Sequence, residues 1–174
     1  MNIPVGSSVS WVDNRMKKIC ISILTYVFSF LCLAQSSEHP SFQQQFSQAY
    51  HLMRQGKFDQ SIDKLNEADS LALKLDDQYN HLRAQISLGG VYFTTGENAK
   101  ALDIYDRVLK EVPADLQEHD EIMGKLNMGK GSINYRLQYY DKALGFYIKS
   151  KNYMESYFGK DHFETAKLYA NIGL

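Results

Sequence analysis

The residues that could carry acid–base or metal chemistry are dispersed along this chain. No two histidines have the spacing that places metal ligands on one helix face. They are His39, His51, His81, His119 and His162. The sequence also contains no Gly-rich phosphate loop, no His-Glu-x-x-His helix and no Gly-x-Ser-x-Gly elbow. We therefore predict that the protein is not an enzyme and uses no metal or cofactor.

Clustered carboxylates are the other candidates for chemistry. The densest run consists of Asp115, Glu118, Asp120 and Glu121. Acidic side chains in the first turns of a helix complement the positive end of its dipole. We interpret the run as the start of a helix rather than as an acid–base pair.

Length and charge narrow the class of protein. The chain has 174 residues, with 19 basic and 20 acidic side chains and a formal net charge of -1. This fits one globular unit. Nucleic-acid-binding proteins usually carry a basic excess on one face, so the near balance argues against a nucleic-acid partner.

The first 34 residues differ from the rest of the chain. Basic residues at 15, 17 and 18 precede an apolar run at 19–33, and small residues follow. This order is typical of a secretory signal, and the run is shorter than the roughly 20 residues of a membrane-spanning helix. We predict that Met16 is the true start, that residues 1–34 are a start-site extension and signal peptide, and that cleavage separates Ala34 from Gln35.

Export has consequences for location and for the cysteines. Both Cys20 and Cys32 fall inside the signal, so the mature chain would have no disulfide. Leu31 disfavours a lipoprotein site at Cys32, since that position usually holds a small residue. We expect the periplasm or cell surface of a bacterium. The alternative is a membrane-anchored protein with an uncleaved signal, or with a missing downstream segment, and its remaining residues outside the cytoplasm.

One pattern of residues repeats from residue 42 onward. The clearest copy contains Leu88, Gly89, Tyr92, Gly96, Ala101, Tyr105 and Pro113. Other copies contain Gly56, then Gly131, Ala143 and Tyr147, and finally Gly173. The corresponding small residues are separated by 40, 42 and 42 positions, and they are Ala49, Gly89, Gly131 and Gly173.

This pattern resembles the tetratricopeptide repeat family in its long-period form. Its helix–turn–helix unit carries Leu-Gly-x-x-Tyr, then Ala-x-x-x-Phe, then Pro. The resemblance implies an all-α, right-handed superhelical solenoid of antiparallel helix pairs over residues 35–174. It has three repeats plus the first helix of a fourth, at 40–75, 78–113, 115–158 and 162–174. Gln85 and Phe163 depart from the family pattern, which has Trp and Pro there. An all-helical bundle is the alternative.

The predicted helices are 40–54, 58–75, 78–94, 98–111, 115–137, 140–158 and 162–174. Gly56, Gly96 and the stretch 137–139 fall where a chain must reverse, and Pro113 ends a helix.

Small and large residues alternate in a way that predicts the packing of each pair. We expect Gly89 and Gly131 to let paired helices approach closely, with Ala101 and Ala143 opposite them. We expect the larger rings to seal the outside of the array. These rings are Tyr92, Tyr105 and Tyr147.

In such an array the first helices of the pairs form a concave wall that binds extended segments. We expect the wall to contain Phe46, Tyr50, Met53, Arg54, Arg83, Ile86, Gly90, Phe93, Lys125, Met128, Ser132, Tyr135, Arg136, Lys167 and Asn171. Its aromatic and cationic character predicts a protein or peptide partner with apolar anchors and at least one carboxylate. The alternative, residue by residue, is that the aromatics belong to the core between repeats. The Lys-x-x-x-Asn pair of chaperone-tail receptors is absent.

The segment after residue 162 ends in apolar residues. We expect either that the chain is a fragment of a longer reading frame or that its last helix mediates self-association. The predicted function is an exported, non-catalytic protein-interaction module. The alternative is the extracytoplasmic sensory region of a bacterial membrane-bound histidine kinase or transcriptional regulator.

Overall fold

The computed structural model describes residues 41–172. Several sequence predictions lie outside the described residues. These are the start at Met16, the cleavage between Ala34 and Gln35, the repeat position Gly173, and the side chains of Lys167 and Asn171.

Residues 41–172 are all-helical, as predicted, and contain seven α-helices and no strand. The helices are α1 (Phe42–Arg54), α2 (Phe58–Lys74), α3 (Gln78–Thr94), α4 (Asn98–Glu111), α5 (His119–Arg136), α6 (Tyr140–Phe158) and α7 (Phe163–Ile172). Most bounds agree with the sequence prediction within one or two residues.

The start of α5 is the main exception, since the predicted start at residue 115 is wrong. The chain makes turns in which the amide of Leu116 donates to the carbonyl of Pro113 and that of His119 to the carbonyl of Leu116. Leu116 packs against the core, which holds these turns in place of a helical turn. Asp115 and Glu118 therefore precede the helix, and the first turn contains only Asp120 and Glu121 of the acidic run.

The helices pack in chain order, each against the next. In addition α1 contacts α3, and α3 contacts α5. The odd-numbered helices α1, α3 and α5 therefore lie side by side in one layer. This layer positions the candidate site.

Four turns share one backbone geometry. Gly56 and Gly96 have φ of 74° and 88°, and Asp76 and Gln138 adopt the same left-handed region at 54° and 64°. The amide that follows each of these residues donates to a carbonyl five positions earlier, which is the Schellman ending of a helix. The reversals predicted at Gly56, Gly96 and 137–139 are confirmed.

Glycines in α3 and α5 lie directly beneath tyrosine rings. A Cβ built on Gly89 would lie 2.8 Å from Cζ of Tyr105, and one built on Gly131 would lie 2.6 Å from Cδ1 of Tyr147. The close approach expected at both glycines is therefore confirmed, and Ala101 and Ala143 are buried in α4 and α6 as well.

The expectation that the rings seal the outside is wrong for Tyr105 and Tyr147. These two residues are buried, with 3% and 7% of their surfaces exposed. The ring of Tyr105 also contacts Gly129 of α5, where a built Cβ would be 2.6 Å from Cζ. A ring that fits against glycines of two neighbouring helices is part of the core. Tyr92 is half-buried against that core, and the Lys100 ammonium lies 5.1 Å from its ring centroid.

Candidate peptide-binding cavity

A cavity of about 670 Å³ lies against the layer of α1, α3 and α5. Its wall is mostly aliphatic and aromatic, with hydroxyls and a few charged groups. The lining residues are Phe46, Ala49, Tyr50, Met53, Ser61, Leu65, Arg83, Ile86, Ser87, Gly90, Val91, Phe93, Thr94, Tyr105, Lys125, Met128, Gly129, Ser132, Phe158, His162 and Glu164. We call it the central cavity.

Most of the predicted wall residues meet in this cavity. The structure brings together Phe46, Tyr50, Met53, Arg83, Ile86, Gly90, Phe93, Lys125, Met128 and Ser132. Arg54, Tyr135 and Arg136 do not line it. Steps of three and four residues along three adjacent helices place the first set on one face, which is why the periodicity found it.

Arg83 is held by aromatic rings on the α1 side of the cavity. Its guanidinium carbon lies 4.7 Å from the ring centroid of Phe46 and 5.2 Å from that of Tyr79, within the range of cation–π attraction. Nη1 donates a hydrogen bond of 2.8 Å to Oδ1 of Asn80. Its Nε is buried and has no hydrogen-bond partner among the described residues. These neighbours therefore hold the guanidinium of Arg83 in a fixed position.

Lys125 is paired within the chain. It donates to Glu121, a buried carboxylate one turn earlier on α5, and Glu121 also accepts a 2.8 Å hydrogen bond from the hydroxyl of Tyr79. Burial alone would raise the pKa of Glu121. The hydrogen bond and positive charge of Lys125, together with the Tyr79 bond, outweigh burial and hold the pKa below its usual range. Burial and the bond to Glu121 raise the pKa of Tyr79.

Arg136 lies at the edge of the helix array and makes its contacts there rather than in the cavity. Its guanidinium donates to the backbone carbonyl of Phe93 and lies 3.6 Å from the centroid of the Phe93 ring. It therefore links the end of α5 to the end of α3. Tyr135 is exposed and packs edge-on against Tyr140, with ring centroids 5.5 Å apart.

These contacts change the predicted character of the wall. Three of the five cations expected in the wall have a partner within the chain: aromatic rings and Asn80 for Arg83, Glu121 for Lys125, and Phe93 for Arg136. Apolar side chains therefore dominate what the cavity offers to a ligand. Hydroxyls add hydrogen-bonding capacity, and that of Tyr50 lies 3.3 Å from Oγ of Ser87.

The α6–α7 junction contributes to the cavity, which the sequence did not predict. Phe158 and His162 line the cavity, and their rings are stacked with centroids 4.3 Å apart. The backbone amide of Glu164 donates to Nδ1 of His162. No local signal places this junction opposite α1, because that placement depends on how the helix pairs stack.

Gly90 lines the cavity and is important for keeping its space open. A Cβ built on it would meet no atom within 4 Å. The glycine therefore keeps the cavity wall open without being required by the packing of α3.

Within residues 41–172 no group of three or more His, Cys, Asp or Glu side chains could hold a metal ion. The helices described there include none with the length and apolar character needed to span a bilayer. Neither the protein-family models nor the curated proteins compared with this sequence give a match.

Proposed function

We propose that this protein is a non-catalytic interaction module that binds a peptide or protein segment in the central cavity. The observation that carries the proposal is the cavity of about 670 Å³ lined by α1, α3 and α5. A pocket of this size can hold several side chains, and walls of this kind favour burial of apolar groups.

The architecture we propose is a tetratricopeptide-like, right-handed solenoid of three helix pairs plus the first helix of a fourth. Two regularities support it. Gly89 and Tyr105 make the same contact as Gly131 and Tyr147, and both residues of the second pair lie 42 positions after those of the first. The left-handed turn residues Gly56, Gly96 and Gln138 recur at 40 and 42 positions.

The composition of the cavity defines the chemistry of the segment. Tyr50, Met53, Ile86, Phe93 and Met128 form a surface of aromatic and flexible apolar groups. Such groups act as anchoring contacts in peptide recognition. The segment should therefore present two or more apolar side chains.

The charged residues of the cavity wall add a preference for the charge of the bound segment. The guanidinium of Arg83 and the ammonium of Lys125 lie in the same wall. They disfavour a basic segment and favour a carboxylate near its anchors. Because both cations are engaged within the chain, this preference is secondary to the apolar contacts.

A selection experiment tests the proposal. Random peptides displayed on phage are selected on the full chain, and Gly90→Leu serves as the comparison. Gly90 lines the cavity, and a Cβ added there meets no atom within 4 Å, so the leucine side chain would occupy cavity space. We expect peptides with paired apolar anchors to be enriched on the wild type and not on Gly90→Leu. Equal enrichment on both proteins would refute binding in the cavity.

The location we propose is outside the cytoplasm, supported by the secretory pattern of residues 1–34. A fusion of residues 16–36 to alkaline phosphatase, which is active only after export, tests it in a bacterial host. Val27→Arg is the control, because a charge in the apolar run should prevent export. Phosphatase activity that is equal in both fusions, or absent from both, would contradict the proposal, and so would a mature N-terminus other than Gln35.

A further inference from the structure

Six large side chains lie exposed on the last turn of α5, the α5–α6 turn and the first half of α6. Each exposes between 41% and 60% of its surface. They are Tyr135, Leu137, Tyr139, Tyr140, Leu144 and Ile148, and we call them the tyrosine patch. Tyr140, Leu144 and Ile148 follow one another at four-residue steps and so share one side of α6. Soluble monomers seldom expose so many apolar groups together unless the surface binds something.

A glycine lies at the centre of the exposed side of α6. Gly145 is exposed, and a Cβ built on it would meet no atom within 4 Å. Glycine is less favourable than alanine inside a helix, and no packing within the chain requires it here. Gly124 and Gly131 differ, since each lies under a buried side chain. A helix surface without a side chain allows a second helix to approach closely.

Opposite charges flank this glycine symmetrically. Asp141 and Lys149 lie four residues before and after Gly145, so the three residues form a line along α6. The helical rise places the two charged positions about 12 Å apart. Within the described part of the chain Asp141 has no ion-pair partner, whereas the Lys149 ammonium lies 6.0 Å from the ring centroid of Phe146.

An antiparallel second copy of α6 would complement this line. If a twofold axis passes near Gly145, Asp141 lies opposite the partner's Lys149, and Lys149 lies opposite the partner's Asp141. The arrangement is self-complementary, as a twofold interface requires. No other register along this line pairs both charges with their opposites.

We propose that two copies of this chain associate through α6 in this antiparallel arrangement, with Gly145 at the axis and with Leu144 and Ile148, which border the glycine on the patch side, against the partner. The rest of the tyrosine patch adjoins this contact, and its exposed surface is on the order of 600 Å². Tyrosine is also enriched at the centres of interfaces. The dimer is independent of peptide binding in the central cavity.

Charge reversal tests the contact on the full chain by sedimentation equilibrium. Asp141→Lys gives the face two positive charges, and Lys149→Asp gives it two negative charges. Each variant alone should weaken self-association about tenfold or more, because two attractive pairs become repulsive. An equimolar mixture of the two variants should associate as tightly as the wild type, and so should the double variant. This rescue distinguishes the contact from association through the apolar segment 19–33.

Gly145→Leu provides an independent arm. The added Cβ meets no atom within 4 Å, and the position is exposed, so the circular dichroism spectrum should be unchanged while self-association is lost. The proposal is overturned if the wild type is monomeric at about 100 μM, a concentration well above the μM dissociation constants of the weaker specific interfaces. It is also overturned if the single variants associate like the wild type, or if the mixture shows no rescue.

Discussion

Gly89 and Gly90 are adjacent in α3, and the structure predicts opposite effects for the same substitution. A Cβ at position 89 would lie 2.8 Å from Cζ of Tyr105, a ring that is 3% exposed and held on its other side by Gly129. Overpacking a core of this kind costs about 1–3 kcal/mol, and alanine recovers up to about 1 kcal/mol of helix propensity. We therefore expect Gly89→Ala to lower the free energy of unfolding by about 1–2 kcal/mol.

The same change at Gly90 meets no atom. The full gain in helix propensity then remains, and Gly90→Ala should raise the free energy of unfolding by about 0.5–1 kcal/mol. The two variants have identical composition, so differences in the unfolded state largely cancel. The resulting difference of about 1.5–3 kcal/mol corresponds to about 3–12 °C in Tm for a chain of this size.

Thermal unfolding followed by circular dichroism at 222 nm provides the measurement, with urea unfolding as a second method. A double-mutant cycle with Tyr105→Leu adds a direct check, because removing the ring should relieve the cost of Gly89→Ala. Equal stability of Gly89→Ala and Gly90→Ala would show that the Tyr105 ring does not pack over Gly89. The account of how the helix pairs fit together would then be wrong.

The left-handed turn at Gln138 and the buried carboxylate of Glu121 give two further predictions. Gln138→Gly should stabilise the chain by about 0.5–1 kcal/mol, because glycine adopts the observed φ of 64° without strain, whereas Gln138→Ala should not; urea midpoints compare the two. Glu121→Gln should destabilise the chain by about 1–3 kcal/mol at pH 7, because it leaves Lys125 without its charged partner. Since the folded-state pKa of Glu121 is lowered, its contribution is present above its usual value of 4.5 and is lost as the pH falls through the folded value. The stability difference between wild type and Glu121→Gln should therefore shrink in acid, and a difference that is independent of pH would contradict the role of the charged form.

Residue spacing predicted the helices and turns because both are local properties. Apolar residues at helical spacing marked six of the seven helix starts within two residues, and glycines marked two of the four left-handed turns. Asp76 and Gln138 adopt the same backbone without being glycine. The reversal at 137–139 was predicted from its position in the repeat, and no residue type marked the left-handed conformation of Gln138 itself. The start of α5 was misplaced because Leu116 is held by the core, which no local pattern shows.

The cavity could be predicted only in part. Periodicity selects the face of a helix, and it correctly grouped residues such as Tyr50, Ile86 and Met128. The pairing of Lys125 with Glu121 follows from their four-residue spacing and could have been predicted. The contact of Arg136 with Phe93, 43 residues earlier, depends on how helix pairs stack. The same is true of the burial of Tyr105 and Tyr147.

The most direct test of the central claim is a binding titration on three proteins. A fluorescent peptide selected by phage display on the wild type is titrated by anisotropy with wild type, Gly90→Leu and Gly145→Ala. Gly90 lines the central cavity and Gly145 does not, and neither position has an atom within 4 Å of an added Cβ. We predict at least a tenfold weaker affinity for Gly90→Leu and an unchanged affinity for Gly145→Ala. Unchanged affinity of a folded Gly90→Leu protein would contradict the claim that this cavity binds the peptide.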